Sequence, residues 1–322
     1  MNAIWKCLAF SLTLAHIPAG IHAQTWPDKA IRTVVPVGAG SSTDIVSRIV
    51  LEQLAVQLGQ PIVVENRTGA GGTIGSAHVA RSDPGGYVIL AHGSAHTIAG
   101  SLYSKLAYDP ARDLTAAVPL GTYSSVLVVA PGRGLKSAAD LVAAARARPG
   151  TITFSSVGIG TATHLSAERF RLSAGIQVIH VPYKGGSEAM NEVIAGRVDF
   201  FFGPTALVLP NIRDGRLAAL AVNGSTRSPL LRDVPTLSEA GFSDAEYPIW
   251  FGLFVPAKTP VEVVEKLHGE TMKALHTPKL RDRLTALGVD PMPLTPREFE
   301  AHVSREIASN AALVRTLGIR PE

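Results

Sequence analysis

The segment IRTVVPVGAGSSTD, residues 31–44, combines three features that decide the fold. Its first five residues are mostly β-branched, which is typical of a buried strand. Two glycines follow within a turn, and residues 41–44 are all of the types that begin helices. Because residues 45–58 are periodically apolar, the segment predicts a strand, a glycine loop and a helix start in that order.

Such an arrangement directs several backbone N–H groups toward one point, where the helix dipole adds partial positive charge. We therefore expect an anion to bind there. An acidic residue beside an anion site needs another role. Asp44 is expected either to cap its own helix or to accept hydrogen bonds from water or from a ligand, and Asp199 is expected to accept such bonds as well.

The composition excludes several classes of protein. The chain has 322 residues, enough for two domains, and its 46% apolar and 17% charged residues predict a packed core. The formal charge is only +4 and aromatic residues make up 6%, so neither a nucleic-acid groove nor a base-stacking surface is predicted.

The N-terminal residues have the layout of a secretory signal peptide. Lys6 is followed by an apolar stretch and then by small residues around Ala23, which predicts cleavage after Ala23. The alternative is a membrane anchor, but His16 and Pro18 interrupt the apolar run short of the about 20 residues that a span needs. Cys7, the only cysteine, would leave with the peptide. We expect an exported protein.

Short apolar strands alternate with glycine turns and helical patterns along the rest of the chain, which predicts α/β architecture. A second glycine loop, SVGIGT, occupies residues 156–161. We predict one domain from residues 24–128 and 246–322 and a second, inserted domain from residues 129–245. Ligands of open α/β sheets bind outside the carboxyl ends of strands, so the two glycine loops are expected to face a shared cleft.

Motifs for cofactors, metals and catalysis are missing from the sequence. The glycines of residues 69–75 have the wrong spacing for a dinucleotide site, and no phosphate-binding loop, nucleophile elbow or paired-histidine zinc motif occurs. We therefore expect no cofactor, no metal and no enzymatic activity. One alternative is an exported hydrolase that uses His164 and a nearby hydroxyl group. A helix start disfavours a protonated histidine, so a capping or ligand-binding role for His164 is preferred.

Eight segments in a fixed order resemble one family. They are WPDK (26–29), PVGAGSSTD (36–44), VVENRTGAGGTIG (63–75), SSVGIGTATHLSAE (155–168), VPYKGGSEAMNEVIAGRVDFFF (181–202), RDVPTLSEAGF (232–242), WFGLFVPAKTP (250–260) and TPREFEAHV (295–303). Together they are similar to the substrate-binding proteins of tripartite tricarboxylate transporters, the Bug family.

The resemblance implies a two-lobed periplasmic-binding-protein-like fold, each lobe a mainly parallel sheet flanked by helices, with the ligand cleft between the lobes. It also implies a monomer that captures a di- or tricarboxylate, an acidic amino acid or an aromatic acid for the membrane subunits of a transporter. The alternative is a sensor that passes its ligand-bound state to a signalling partner.

The family binds carboxylates mainly through backbone N–H groups of two facing loops, which correspond here to residues 37–44 and 156–164. The ligand-binding residues implied are Val37, Gly38, Ala39, Gly40, Ser41, Asp44, Ser156, Gly158, Gly160, Thr161, His164, Tyr183 and Asp199. Lys184 either pairs with a ligand carboxylate or is solvated. Val37, Gly38 and Ser41 depart from the usual family loop, so we expect the specificity of this protein to lie there.

Overall fold

The computed structural model describes residues 26–247 and 249–319. The predicted signal peptide, residues 1–23, and its cleavage after Ala23 lie outside these residues. Within them, no helix is both long and apolar enough to cross a membrane. The same residues contain no cluster of three or more His, Cys, Asp or Glu side chains placed to hold a metal ion.

The chain forms eleven strands and ten α-helices within the described residues. The strands are β1 (Ile31–Val35), β2 (Ile62–Asn66), β3 (Val88–Gly93), β4 (Leu114–Tyr123), β5 (Ser125–Val129), β6 (Ile152–Ser156), β7 (Val178–Pro182), β8 (Phe200–Pro204), β9 (Ala218–Asn223), β10 (Ile249–Pro256) and β11 (Val289–Asp290). The helices are α1 (Ser42–Leu58), α2 (Thr73–Ala80), α3 (Ala95–Leu102), α4 (Ala138–Ala147), α5 (Ala162–Ala174), α6 (Gly186–Ile194), α7 (Thr205–Arg213), α8 (Val261–Leu275), α9 (Pro278–Ala286) and α10 (Pro296–Thr316).

The strands divide between two mixed sheets. The first lobe has the order β11-β4-β10-β3-β1-β2 and the second has β7-β6-β8-β5-β9. Parallel pairs are β1 with β2 and β3, and β6 with β7 and β8. The antiparallel strands β4, β5 and β10 flank the two chain crossings between the lobes. The predicted two-lobed α/β fold is confirmed, with sheets that are mixed and not mainly parallel.

The first crossing lies earlier than the predicted domain division at 128/129. β4 ends at Tyr123 in the first sheet and β5 begins at Ser125 in the second, so the sheet changes at Ser124. The chain returns to the first sheet at Ile249, close to the predicted division at 245/246.

Strand β4 was not predicted from the sequence. The strand contains Pro119, which cannot donate to a sheet ladder and argues against a strand in a sequence pattern. Pro119 pairs with Gly252, next to a register shift between Phe251 and Gly252. A bulge at this point accommodates the missing donor.

Each lobe has its own apolar core. Trp250 and Phe299 pack edge-to-face in the first lobe with ring centroids 5.2 Å apart. Phe154 and Phe200 pack in the second lobe at 5.5 Å. These four side chains are almost fully buried, and each contributes roughly 1.5–3 kcal/mol through removal of apolar surface from water.

A smaller apolar cluster joins the lobes. Ile98 of α3 and Leu313 of α10 belong to the first lobe, and Leu165 of α5 belongs to the second. Tyr247, in the returning chain segment, packs in the same cluster. The start of α5 is therefore held against α3, which fixes where the second glycine loop lies relative to the first lobe.

Two buried histidines in the first lobe make its stability depend on pH. The His92 and His96 rings lie 5.9 Å apart in the interior. Burial, with a smaller contribution from His96, lowers the pKa of His92 to about 3. Burial also lowers the pKa of His96 to about 4, although a hydrogen bond to the Pro110 carbonyl partly opposes this. Both rings are thus neutral in the folded protein at pH 5.

We predict that the free energy of unfolding falls as the pH drops below 6.5. Unfolded histidines have a pKa of about 6.5. Between pH 6 and 5 both imidazoles are therefore mostly protonated in the unfolded chain but neutral in the folded chain. Relative to His92→Gln/His96→Gln, the native chain should lose about 2 kcal/mol more per pH unit in this range. Urea unfolding at pH 6 and 5 measures both slopes. Equal slopes would show that the two imidazoles titrate normally inside the fold.

Candidate functional site

The first loop, residues 36–41, follows β1 at the carboxyl edge of the first sheet. Gly38, Ala39 and Gly40 are exposed, whereas Val37 and Ser41 are half-buried. Gly40 has φ +79°, in the left-handed region that favours glycine. A Cβ atom on Gly38 or Gly40 would meet nothing within 4 Å, so open space lies beside both glycines.

A reciprocal pair of hydrogen bonds joins this loop to the start of α1. The Asp44 N–H donates to Ser41 Oγ at 3.3 Å, and the Gly40 N–H donates to Asp44 Oδ2 at 3.0 Å. The pair differs from a capping box, because the bond to the Asp44 side chain comes from Gly40 and not from the N-cap residue Ser41. Ser41 is thus the residue that caps α1, and Asp44, in the first helical turn, holds the loop by accepting from Gly40.

The Asp44 carboxylate is also tied to the neighbouring strand. Its Oδ1 accepts from Arg48 Nε at 2.9 Å and from Asn66 Nδ2 at 2.8 Å. Asn66 Nδ2 also donates to the Val37 carbonyl at 3.0 Å. Burial would raise the pKa of Asp44, but the bonds from Gly40, Asn66 and Arg48 hold it below its ordinary value. The carboxylate is therefore charged and fully engaged inside the lobe.

Several N–H groups at this loop are left without an acceptor. Within the described residues, the N–H groups of Gly38, Ala39, Ser42 and Thr43 donate to no protein atom. The last two belong to the first turn of α1, where the helix dipole adds partial positive charge. The first loop can therefore bind an anion without any cationic side chain.

The second loop, residues 157–161, follows β6 and is held by its own hydroxyl groups. The Gly158 N–H donates to Ser156 Oγ at 3.0 Å, and the Val157 N–H donates to Thr163 Oγ1 at 3.0 Å. Thr161 Oγ1 donates to the Gly158 carbonyl at 2.7 Å. Gly158 and Gly160 have φ of +121° and +75°, which a side chain would disfavour.

His164 holds the end of the same loop as a neutral acceptor. The Gly160 N–H donates to His164 Nδ1 at 3.2 Å, and the His164 ring lies 4.2 Å from the His180 ring. Burial, with smaller effects of His180 and Arg171, lowers the pKa of His164 to about 3. An unprotonated Nδ1 is what this hydrogen bond requires.

This geometry does not support the hydrolase alternative. His164 hydrogen-bonds to no hydroxyl group within the described part of the chain, and its Nε2 lies 3.8 Å from Glu168. The serine beside an imidazole is instead Ser156, whose Oγ lies 2.5 Å from His180 Nε2. Ser156 has no exposed surface, so it is not placed to attack a substrate.

The start of α5 also has unpaired donors. Thr161 is the N-cap residue, but its hydroxyl bonds to Gly158 and makes no cap bond. Among the residues described, the N–H groups of Ile159, Ala162, Thr163 and His164 find no acceptor. As in the first loop, a glycine turn leads into a helix whose first N–H groups have no acceptor among the described residues.

Helix α3 runs from the start of α1 to the second loop. A Cβ atom on Gly93, which precedes α3, would lie 3.7 Å from Thr43 Oγ1 of α1. Leu102, the last residue of α3, contacts Gly160 of the second loop. Helix α3 therefore spans the distance from the start of α1 to the second loop.

Two predicted site residues have different surroundings. Tyr183 lies beside the second loop, since its N–H donates to the Ser156 carbonyl at 2.9 Å, and its ring packs on the second-lobe core. Asp199 accepts from the Thr153 N–H at 2.8 Å and pairs with Arg133. Thr153 lies three residues before Ser156 on β6. Asp199 is therefore at the amino end of the strand, about 10 Å from Ser156 and the second loop. Asp199 therefore does not join the other predicted residues at the cleft.

The comparisons with known proteins identify the family of this two-lobed chain. A family model described as "Tripartite tricarboxylate transporter family receptor" matches residues 46–319. The chain belongs to this family. The resemblance stated from the sequence is confirmed, and the chain is thus a solute-binding protein of the periplasmic type.

Relatives of this receptor family cover almost the whole chain. Protein BugT from Bordetella pertussis is 33% identical over 322 residues, covering 99% of both chains. A solved R. palustris protein with adipate is 30% identical, covers 92% of this chain and 100% of its own, and has a TM-score of 0.79. MatC from Rhodopseudomonas palustris with bound malate is 30% identical, with coverages of 90% and 100% and a TM-score of 0.75.

Sequence reasoning missed Asn66 and His180, which brace the two loops. Asn66 is the register partner of Val35 and so lies next to the first loop. His180 pairs with Phe154 across β6 and β7, and thereby reaches Ser156. Such residues lie at the ends of strands that run parallel to the strand before each glycine loop. Finding them requires the strand register.

We predict that Asp44→Ala destabilises the receptor by about 3 kcal/mol, because Arg48 and Asn66 lose a buried charged partner. The matched control is Asp140→Ala at the start of α4. Asp140 accepts from the Lys136 N–H and is capped by Ser137, but it is exposed. The control should have a much smaller effect in urea unfolding. Similar losses in both variants would mean that the bonds to Arg48 and Asn66 contribute nothing beyond the cap.

Proposed function

We propose that the protein captures a small carboxylate between its lobes in the periplasm and delivers it, as a monomer, to the membrane subunits of a tripartite tricarboxylate transporter. One observation carries the proposal. Two glycine loops, at the carboxyl edges of the two sheets, each lead into a helix whose first N–H groups have no acceptor within the described residues.

The chemistry of these donors suits a carboxylate. A carboxylate presents two oxygens that accept several hydrogen bonds, and charge-assisted bonds are about twice as strong as neutral ones. Neither loop carries a lysine or arginine, and Asp44 is already neutralised by Arg48. The anion would therefore be held by N–H dipoles and two helix N-termini, which favour negative charge.

The division into two lobes explains how the ligand is captured. The first loop belongs to one lobe and the second to the other, so closing the lobes would bring both donor sets onto the same anion. The two relatives solved with adipate and malate hold carboxylates, which supports this ligand class for the present chain. A bound ligand would be released unchanged, because no nucleophile is exposed beside a base in the described site.

A thermal-shift screen tests the proposal directly. Mono-, di- and tricarboxylates, aromatic acids and acidic amino acids are added to the full mature chain. A true ligand stabilises it by about 2.7 kcal/mol at about 100 times its Kd and is recovered intact. The proposal is wrong if no carboxylate shifts the melt, or if the bound compound is converted.

We predict that Gly40→Val weakens carboxylate binding far more than Lys184→Ala. At φ +79° a β-branched side chain is strained, so the first loop would change its path and displace its donors. Lys184 is exposed and lies before α6, where its own N–H contacts Glu188. We expect a loss of at least about tenfold for Gly40→Val and less than about threefold for Lys184→Ala.

Calorimetric titration of both variants with a carboxylate identified in the screen measures these losses. Circular dichroism checks that Gly40→Val remains folded. A larger loss in Lys184→Ala would show that a side-chain charge dominates the site.

A further inference from the structure

An apolar cavity lies between the lobes next to the start of α1. Its volume is about 110 Å³, smaller than a whole small-molecule site but close to the roughly 150 Å³ of an engineered apolar cavity that binds benzene. Ser42, Ile45, Tyr123 and Phe251 form its first-lobe wall, and Pro204 and Ala206 close it from the second lobe. The strands place it at the cleft, because Phe251 pairs with Gly93 at the end of β3 and Pro204 ends β8.

The lining of this cavity is almost entirely apolar. Of its nine described lining residues, only Ser42 and Tyr123 carry a polar side-chain atom, and none carries a charge. Tyr123 stacks on Phe251 with ring centroids 5.2 Å apart. Burial raises the pKa of Tyr123, so its hydroxyl group stays neutral. The cavity therefore favours an apolar occupant over a charged one.

The cavity lies beside the first turn of α1, which carries two of the unpaired N–H groups of the described site. Ser42 lines it and also carries one of the unpaired N–H groups at the start of α1. Ile45 lies one turn further along α1, is 37% exposed and forms part of the cavity wall. A carboxylate bound to the first turn of α1 would thus have the rest of its molecule directed along Ile45 into the apolar space.

We propose that the ligand is a monocarboxylate with a compact apolar body, either branched aliphatic or aromatic, whose carboxylate binds the loops and whose body fills this cavity. The inference rests on the proposed function. A second carboxylate placed in the cavity would lose its hydration without gaining a cation or a donor set, which is strongly unfavourable. Di- and tricarboxylates therefore bind more weakly here.

Calorimetric titration of the full mature chain distinguishes these ligand classes. The probes are benzoate and isovalerate, each with one carboxylate and an apolar body, against succinate and citrate. We expect at least one monocarboxylate to bind about tenfold or more tightly than both polycarboxylates. Tighter binding of succinate or citrate overturns this inference but upholds carboxylate capture. Binding of none of the four probes, together with a negative carboxylate screen, overturns both.

Substitutions in α1 test whether the cavity holds the apolar body. Ile45→Ser should weaken binding of the preferred monocarboxylate roughly tenfold, while binding of succinate changes little. The matched control is Val56→Ser on the same helix, because Val56 is 72% exposed and lies outside the cavity. It should leave both affinities unchanged. An equal loss for both ligands in Ile45→Ser would place the apolar body elsewhere.

A second variant tests the same cavity in case Ile45→Ser does not fold. Ala206 is exposed on the second-lobe wall, so Ala206→Phe should fold normally and fill the cavity. It should weaken the preferred monocarboxylate by at least about tenfold, because its body would be displaced. Unchanged affinity in this variant would also overturn the inference.

Discussion

The carboxylate of Asp44 organises the first half of the binding site. It accepts from the Gly40 N–H and is held by Arg48 and Asn66, so one buried charge joins the glycine loop, the start of α1 and the end of β2. The Arg48 guanidinium offsets that negative charge locally. The carboxylate can therefore hold the loop in place without repelling an anionic ligand. An anion site can therefore lie directly beside an aspartate.

The second lobe achieves the same result without a charged group. His164 accepts the Gly160 N–H as a neutral imidazole, and the Ser156 hydroxyl accepts from Gly158 next to His180. Both loops use their own side chains to satisfy some N–H groups while the donors at the helix starts stay open. The proposed carboxylate recognition would then depend on backbone position, which tolerates the changes at Val37, Gly38 and Ser41 in the first loop.

The sequence anticipated the parts of this arrangement that depend on neighbours in the chain. The strand, glycine loop and helix start of residues 31–44 were predictable because β-branched residues, glycines and N-cap residues each have local conformational preferences. Strand β4 was not predicted because Pro119 argues against a strand, and the first domain division was placed at 128/129, after Ser124, because β5 is apolar in either lobe. Asp199 was placed at the cleft by resemblance, although its bond to Thr153 holds it at the amino end of β6, away from the second loop.

By itself the sequence determined the family, the α/β class and the two glycine loops, since these follow from local propensity and ordered motifs. Only the tertiary structure decided which side chains brace the loops and what lies beside them. Asn66 reaches Asp44 through the register of two strands, and Ser42 and Ala206 share a cavity although they are far apart in the chain. Such contacts depend on how the strands pair and how the lobes meet, and no local preference encodes them.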